Sequence, residues 1–277
     1  MDESSLTTIR LQREGTLAWL YLSRPDKLNS FTVTMWNELR ELGDSLRDDP
    51  EIRALVVIGE GRAFSSGIDT SLFSDRTVSG DNLGGGGEPV EHDDPVVSSI
   101  MGAQEAYTWL EEVPFATIAA VRGYALGAGL QIALACDLRI LAEGSQVGLL
   151  EFKYGIIPDL GGTQRLPRIV GPGKAKELIM TAARIDADEA LRIGLAERVV
   201  PDGRLEDEAR ELASAIAAQP PLAVRGAKRA VNAATQSGVR DGLRVEAENQ
   251  AVCLRSDDMK EAIAAFVEQR TPQFHNR

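Results

Sequence analysis

The order of the predicted elements constrains the fold more than any other feature of this chain. Up to about residue 200, short apolar runs typical of buried β-strands, such as RALVVIGEG and FATIAAVRG, alternate with stretches of helical periodicity. From Leu205 onward the apolar residues recur with helical spacing only. Alternating strands and helices are typical of α/β proteins. The sequence therefore predicts an α/β core domain over residues 1–203 and a helical domain over residues 204–277.

Local signals predict three further elements of the core. The runs TTIRLQREG and TLAWLYLS flank a Glu-Gly turn, which predicts a β-hairpin. A helix is predicted to start near Ser30 or Thr32 and to stop at Asp49-Pro50. The segment GLLEFKYGIIPD is predicted to be a strand followed by a loop.

A polar segment between residues 74 and 100 lacks periodicity and is predicted to be a flexible loop. It contains four consecutive glycines at 84–87, a composition that is sometimes part of a phosphate-binding loop. These glycines neither follow a predicted strand nor precede a Lys-Ser or Lys-Thr pair. The run is therefore interpreted as part of the flexible loop.

Composition and charge exclude several classes of function. At 277 residues, with 43% hydrophobic side chains, the chain is long enough to bury a full core, as soluble globular proteins do. A formal net charge of -12 disfavours nucleic acid or an anionic membrane as partner, because both attract basic surfaces. The segment MDESSLTTIR lacks the features of a secretion signal, so the cytoplasm is the expected location. Cys136 and Cys253 have no His or Cys at metal-ligand spacing, so no metal site is predicted.

Two turns rich in small residues are the first candidates for chemistry. Each turn follows a predicted strand: AFSSGIDTS comes first, and GYALGAG leads directly into a helix. Such turns expose backbone N–H groups, and a helix N-terminus adds a partial positive charge that favours an anion. Two converging turns would form an oxyanion hole, in which each donor contributes roughly 3 kcal/mol to transition-state stabilisation. The glycines alone leave open the alternative that both turns serve only packing.

Six motifs occur in an order that resembles the crotonase superfamily, the enoyl-CoA hydratases and isomerases. The resemblance extends from about residue 7 to about residue 272. The motifs are RPDKLNSF, AFSSGIDTS, GYALGAGLQIALACDLRI, GIIPDLGGTQRLPRIVG, RIDADEALRIGLAERVVP and AFVEQR. The resemblance implies an α/β fold, a ClpP-like superhelix of repeated ββα units, followed by an all-helical region used in assembly as a homotrimer or a dimer of trimers.

The resemblance also implies a substrate, a coenzyme A thioester, and a set of site residues. Coenzyme A belongs to the substrate, and no separate cofactor is implied. The oxyanion donors would be the backbone N–H groups of Ile68 and Ala128. The residues expected to contact the thioester and the CoA group are Ser66, Gly67, Ile68, Asp69, Thr70, Ser71, Gly127 and Ala128. For the CoA phosphates the chain offers Lys27, with Arg24 and Arg270 as alternatives.

The acidic residues decide which reaction the resemblance implies. Hydratases of the family use two glutamates; one matches Glu151, whereas the other position holds Gln131. A carboxamide has no titratable proton near neutral pH, so Gln131 can orient a group but cannot act as an acid or base. One carboxylate suffices to move a proton between two carbons of an enoyl-CoA. Double-bond isomerisation through Glu151 is therefore the favoured hypothesis.

Asp159 stands eight residues after Glu151, a spacing that resembles the acid pair of dienoyl-CoA isomerases. Those enzymes usually have an aspartate where this chain has Gln131. Asp159 also stands where a helix N-cap is expected, so catalysis and capping both remain open. Two other hypotheses remain: a hydratase that uses Glu151 with help from Gln131 or Asp159, and a non-catalytic acyl-CoA-binding protein.

Overall fold

The structure of the protein is a computed structural model that describes residues 5–74 and 92–277. The glycines at 84–87 and most of the predicted flexible loop lie outside the described residues, and the predicted end of that loop at residue 100 was wrong, because a helix begins at Pro95. The strands, in chain order, are β1 (Ile9–Glu14), β2 (Leu17–Leu22), β3 (Ala54–Gly59), β4 (Ala116–Val121), β5 (Tyr124–Leu126), β6 (Leu138–Ala142), β7 (Gln146–Gly148), β8 (Ile185–Asp186) and β9 (Arg198–Val200). The helices are α1 (Val33–Leu46), α2 (Ser71–Ser74), α3 (Pro95–Glu112), α4 (Ala128–Ala135), α5 (Gly162–Val170), α6 (Pro172–Thr181), α7 (Ala187–Arg192), α8 (Leu205–Ala217), α9 (Pro221–Gln236), α10 (Val239–Arg255) and α11 (Asp257–Glu268).

The larger sheet has six strands in the order β1, β2, β3, β4, β6, β9. The predicted hairpin is confirmed, because β1 and β2 pair antiparallel; the remaining neighbours pair parallel. Every residue of β3 and β4 is buried, as expected for parallel strands covered on both faces. In β3, Leu55 and Val57 enter one core, and Val56 and Ile58 enter the other. The strand period of two thus divides the chain between two apolar layers.

Two ββα units bring the candidate site together. In the first, β4 is followed by β5 and α4; in the second, β6 is followed by β7 and, after a connection, α5. The short strands pair parallel, with Leu126 opposite Gly148, so that the segments following them lie side by side. The predicted turn GYAL therefore contains a strand. The predicted strand at GLLEFKYG was wrong beyond Gly148, because Glu151–Tyr154 form a 3-10 helix.

The helices that follow β9 differ in how they contact the core. Leu205, Ala209 and Ala213 of α8 belong to the second apolar layer, so α8 covers one face of the sheet. Lys228 of α9 donates to the carbonyl oxygens of Leu110 and Phe115. Within the described ranges no strand follows β9, but whether residues 204–277 form a separate domain stays a prediction. None of the described helices is long and apolar enough to cross a membrane.

Candidate active site

The first turn presents the backbone N–H of Ile68. Phe31 forms a parallel bridge with Ile68: its N–H donates to Gly67 O (2.7 Å) and its carbonyl accepts from Asp69 N (2.9 Å). In such a bridge the N–H of the middle residue points away from the neighbouring chain. Within the described part of the chain, the Ile68 N–H has no acceptor. It is therefore free to bind an oxygen atom in the adjoining pocket.

The second turn presents the backbone N–H of Ala128. Gly127 adopts φ +52° and donates to Gly148 O (2.8 Å), and α4 begins at the next residue. The first N–H groups of a helix have no partner within the helix, and no described residue accepts from Ala128 N. A Cβ atom at Gly67 would lie 3.9 Å from Ala128 N and only 2.9 Å from Leu126 O. The two turns therefore adjoin, and Gly67 permits their close approach.

Glu151 lies against the second turn. It belongs to the 3-10 helix after β7, and only 6% of its surface is exposed. A Cβ atom at Gly127 would lie 3.3 Å from Glu151 Oε1. Burial raises the pKa of the Glu151 carboxyl to about 6; hydrogen bonds from the backbone and from Gln131 oppose this rise, and the charge of Asp159 adds to it. A carboxyl group with this pKa can take up and release a proton near neutral pH.

Gln131 is almost fully buried and contacts Glu151 without lining the pocket itself. Its Nε2 donates to Glu151 Oε1 (2.8 Å), and its Oε1 accepts from Leu160 N and Gly162 N, both at 2.8 Å. Because two backbone N–H groups require an acceptor, the carboxamide oxygen must face Leu160 and Gly162, and the carboxamide nitrogen must face Glu151. Both lone pairs of the oxygen are used. Gln131 therefore has no acceptor left for a water molecule.

Asp159 is the second acid of this neighbourhood. Its side chain is half-buried, and burial raises the pKa of its carboxyl. The capping alternative was wrong: the N-cap of α5 is Gly161, and no side chain caps that helix. The polypeptide at Asp159 is instead held by Gln104, whose Nε2 donates to the Asp159 carbonyl oxygen (2.6 Å). A catalytic role for Asp159 stays a prediction.

The pocket between the two turns contains some of the predicted residues and several that were not predicted. Among the predicted ones, Asp69, Ser71, Lys27, Gln131 and Asp159 are not part of its lining. The lining residues are Ser66, Gly67, Ile68, Thr70, Leu126, Gly127, Ala128, Leu150, Glu151, Tyr154 and Ile156. The four that were not predicted are mostly apolar: Leu126, Leu150, Tyr154 and Ile156. The signal available in the sequence was the run FKYGII, whose apolar residues directly follow Glu151.

Arg24 and Asp69 form an ion pair that fastens the first turn. Arg24 Nη2 lies 2.9 Å from Asp69 Oδ2, and Asp69 Oδ1 accepts from the N–H and hydroxyl of Ser71. The Arg24 side chain and the Ser71 groups hold the pKa of the Asp69 carboxyl at about 2. Arg24 therefore stabilises the turn beside Ile68, a geometry that does not favour phosphate binding.

The other two candidate phosphate anchors differ in exposure and pairing. Arg270 is paired with Glu261 and Glu268. Lys27 is exposed and makes no ion pair within the described ranges. Of the three cations, Lys27 is the one whose charge is not already neutralised. The described ranges contain no group of three or more His, Cys, Asp or Glu side chains placed to hold a metal ion.

Comparisons with known proteins agree over nearly the whole chain. The sequence profile described as "Enoyl-CoA hydratase/isomerase" matches residues 12–277. The crotonyl-CoA hydratase of Syntrophomonas wolfei is 35% identical over 269 residues, 96% of this chain and 97% of that protein. The short-chain-enoyl-CoA hydratase of Clostridium acetobutylicum is 36% identical over 275 residues, 98% of this chain and 99% of that protein.

Solved structures agree with the fold. The crystal structure of an enoyl-CoA hydratase from Bacillus anthracis superposes with a TM-score of 0.88 at 34% identity, covering 98% of this chain and 100% of that chain. The α/β architecture with its helical C-terminal region is thus the crotonase fold that the motifs implied. The chain belongs to the enoyl-CoA hydratase/isomerase family of the crotonase superfamily.

Proposed function

We propose that the protein moves a carbon–carbon double bond within an enoyl-CoA thioester, with Glu151 as both base and acid. The proposal rests on one observation, the hydrogen bond between Glu151, which lines the pocket, and the carboxamide of Gln131. Glu151 is its buried carboxylate, with a pKa raised to about 6, and the adjacent side chain is a carboxamide that cannot exchange a proton. One carboxylate next to two backbone N–H donors suffices for proton transfer through an enolate.

The proposed reaction starts from a 3-enoyl-CoA. The Glu151 carboxylate takes a proton from C2, and the electrons of the C2–H bond spread over the diene to the thioester oxygen. The N–H groups of Ile68 and Ala128 bind this dienolate oxygen. Glu151 then returns the same proton to C4, which leaves a double bond between C2 and C3. No electron is lost or gained, and no water is consumed, so atoms and charge balance without a second acid.

Hydration of a 2-enoyl-CoA is the second candidate, and two observations favour it. The relatives named above are hydratases, and Asp159 is a second half-buried carboxyl with a raised pKa. In that reaction Glu151 would take a proton from water. Gln131 could contribute its remaining N–H only, because its oxygen is already bonded to two backbone donors. The geometry therefore supports isomerisation better.

A substrate panel separates these functions. Purified protein is offered 2-enoyl-, 3-enoyl- and 3,5-dienoyl-CoA, and the absorbance of the conjugated thioester is followed. Isomerisation produces a gain of absorbance with 3-enoyl-CoA and no loss with 2-enoyl-CoA. A loss with 2-enoyl-CoA would indicate hydration and contradict the proposal. Tight binding without any spectral change would indicate a non-catalytic acyl-CoA-binding protein.

We further propose that the protein assembles as a homotrimer or a dimer of trimers through its C-terminal helices. Val239 at the start of α10 is 80% exposed, and Phe266 and Val267 of α11 are 85% and 74% exposed. Large apolar side chains that remain in water favour association with another surface. Second copies of this chain are the partner that the proposal assigns to these helices.

A further inference from the structure

Gln131 forms hydrogen bonds both to Glu151 and to the backbone that follows Asp159. We infer that Gln131 is a positioning residue, which holds the Glu151 carboxylate beside the Gly127 turn and presents a permanent donor to it. The inference rests on the proposed role of Glu151 as the base. It assigns to Gln131 a task that acts through Glu151 and needs no contact with substrate, in keeping with the absence of Gln131 from the pocket lining.

The orientation of Gln131 is fixed from three sides. Its backbone N–H donates to Gly127 O (3.0 Å), so its main chain belongs to the same helical turn as the Ala128 donor. Its side-chain oxygen is held by Leu160 N and Gly162 N, and its side-chain nitrogen then has one direction left, toward Glu151. The backbone thus determines which end of the carboxamide meets the carboxylate.

The fit around the carboxamide is close. A Cβ atom at Gly162 would lie 2.9 Å from Gln131 Oε1 and 3.1 Å from Gln131 Cγ. Contacts this short exclude any residue larger than glycine unless Gln131 moves. Gly162 is therefore part of the same arrangement, in which the Gln131 side chain is only 1% exposed.

The donor from Gln131 matters because burial disfavours charge on Glu151. Glu151 Oε2 is buried and has no partner among the described residues. Burial, and to a lesser extent the charge of Asp159, raises the pKa of Glu151; burial, with smaller contributions from the charges of Asp159 and Glu151, also raises the pKa of the nearby Tyr107 hydroxyl. Burial is the main cause of the raised pKa, and Gln131 is the side chain whose hydrogen bond lowers it. Gln131 thus favours the ionised form that acts as a base.

Three variants test the inference. Gln131→Met removes both the donor and the acceptor. Gln131→Glu keeps an acceptor for the N–H groups of Leu160 and Gly162, so it preserves the backbone conformation at residues 160–162. It replaces the donor to Glu151 with a second carboxylate. The matched control is Gln104→Met, which removes a carboxamide that binds the same turn at the Asp159 carbonyl. The titration of Glu151 is followed in the free protein by carbon-13 NMR of the carboxyl groups, with Glu151→Gln to assign its signal.

The inference predicts different titration midpoints for the variants. In Gln131→Met the midpoint rises by about one pH unit, the effect of losing a donor to a charged group. In Gln131→Glu it rises by about two units, because two adjacent carboxylates cannot both ionise freely. The control keeps the midpoint of the parent protein.

Kinetics on 3-enoyl-CoA provide the second readout. At pH 7 the kcat of Gln131→Glu falls about tenfold and recovers at higher pH, whereas that of Gln131→Met falls about tenfold to a hundredfold at every pH, since the base is displaced. KM changes little in both. Parent-like midpoints in both Gln131 variants, or an equal shift in Gln104→Met, would overturn the inference. The NMR titration needs no substrate, so it stays informative even where the substrate panel contradicts isomerisation.

Discussion

Glu151 and Asp159 lie in the same connection between β7 and α5, and burial raises the pKa of both carboxyl groups. Their surroundings differ in one respect that concerns catalysis. Glu151 lines the pocket next to Gly127 and receives a hydrogen bond from Gln131, whereas the Asp159 carboxylate is outside the lining. A raised pKa therefore does not by itself identify the base. The proposal that Glu151 is the base therefore depends on its position beside the N–H groups of Ile68 and Ala128, because a base must reach a carbon of the thioester whose oxygen these proposed donors would bind.

The largest expected effect is that of Glu151→Gln on turnover. The variant retains the shape of the side chain but cannot take up a proton, so kcat on 3-enoyl-CoA is expected to fall by about 10³-fold or more. Binding of a CoA ester should change little, because the N–H groups of Ile68 and Ala128 remain. Steady-state kinetics and calorimetric titration with a 2-enoyl-CoA measure the two quantities. Near-full activity would show that Glu151 is not the base.

The same variant is expected to be more stable than the parent protein at neutral pH. The pKa of Glu151 is about 6 in the folded protein, against an ordinary value of 4.5, so its stabilising contribution is fully present below pH 4.5 and is lost as the pH rises through about 6. At pH 7 the ionised group costs about 2 kcal/mol, which Glu151→Gln removes. Denaturant unfolding of both proteins at pH 7.5 and pH 4.5 measures this. A difference in free energy of unfolding that is equal at both pH values would contradict the assigned pKa.

The smallest effect is expected for Asp159→Asn. Removal of its charge lowers the pKa of Glu151, so the midpoint of the acid limb of kcat/KM moves to lower pH, and kcat stays within about threefold of the parent value. A pH–rate profile from pH 5 to 8 measures both. Should kcat instead fall about a hundredfold, Asp159 would be a second catalytic acid, and the distinction between the two carboxylates would be lost.

The parts of the fold that could be predicted are those with enough residues to carry a pattern. The buried strands β3 and β4 and the helices after β9 have long apolar runs or a clear helical period. The strands β5, β7 and β8 have two or three residues, too few for an alternation to be visible. Their pairing is set by the neighbouring sheet, which the local sequence does not encode.

The candidate site shows the same division. Ile68, Ala128 and Glu151 were identified from motifs, and the structure brings them to one pocket. Partners distant in sequence could not be predicted. Arg24 was a candidate phosphate anchor, but it pairs with Asp69, which only tertiary structure reveals. Gln131 was recognised as the departure from the hydratases, but its bonds to Leu160 and Gly162 depend on how α4 and α5 pack.

Both proposed oxyanion donors are main-chain groups, and this has a consequence for how the protein can be changed. A substitution at Ile68 or Ala128 alters the wall of the pocket without removing the N–H, proline being the exception. Ala128 begins α4, where the backbone suits most L-residues, but its side chain is buried in the core, so a larger residue there would have to displace its neighbours. A saturation library at Ile68, which is partly exposed, would therefore vary the shape of the pocket wall while its backbone N–H is retained. The pocket thus combines two fixed backbone donors with a wall that can be changed at Ile68.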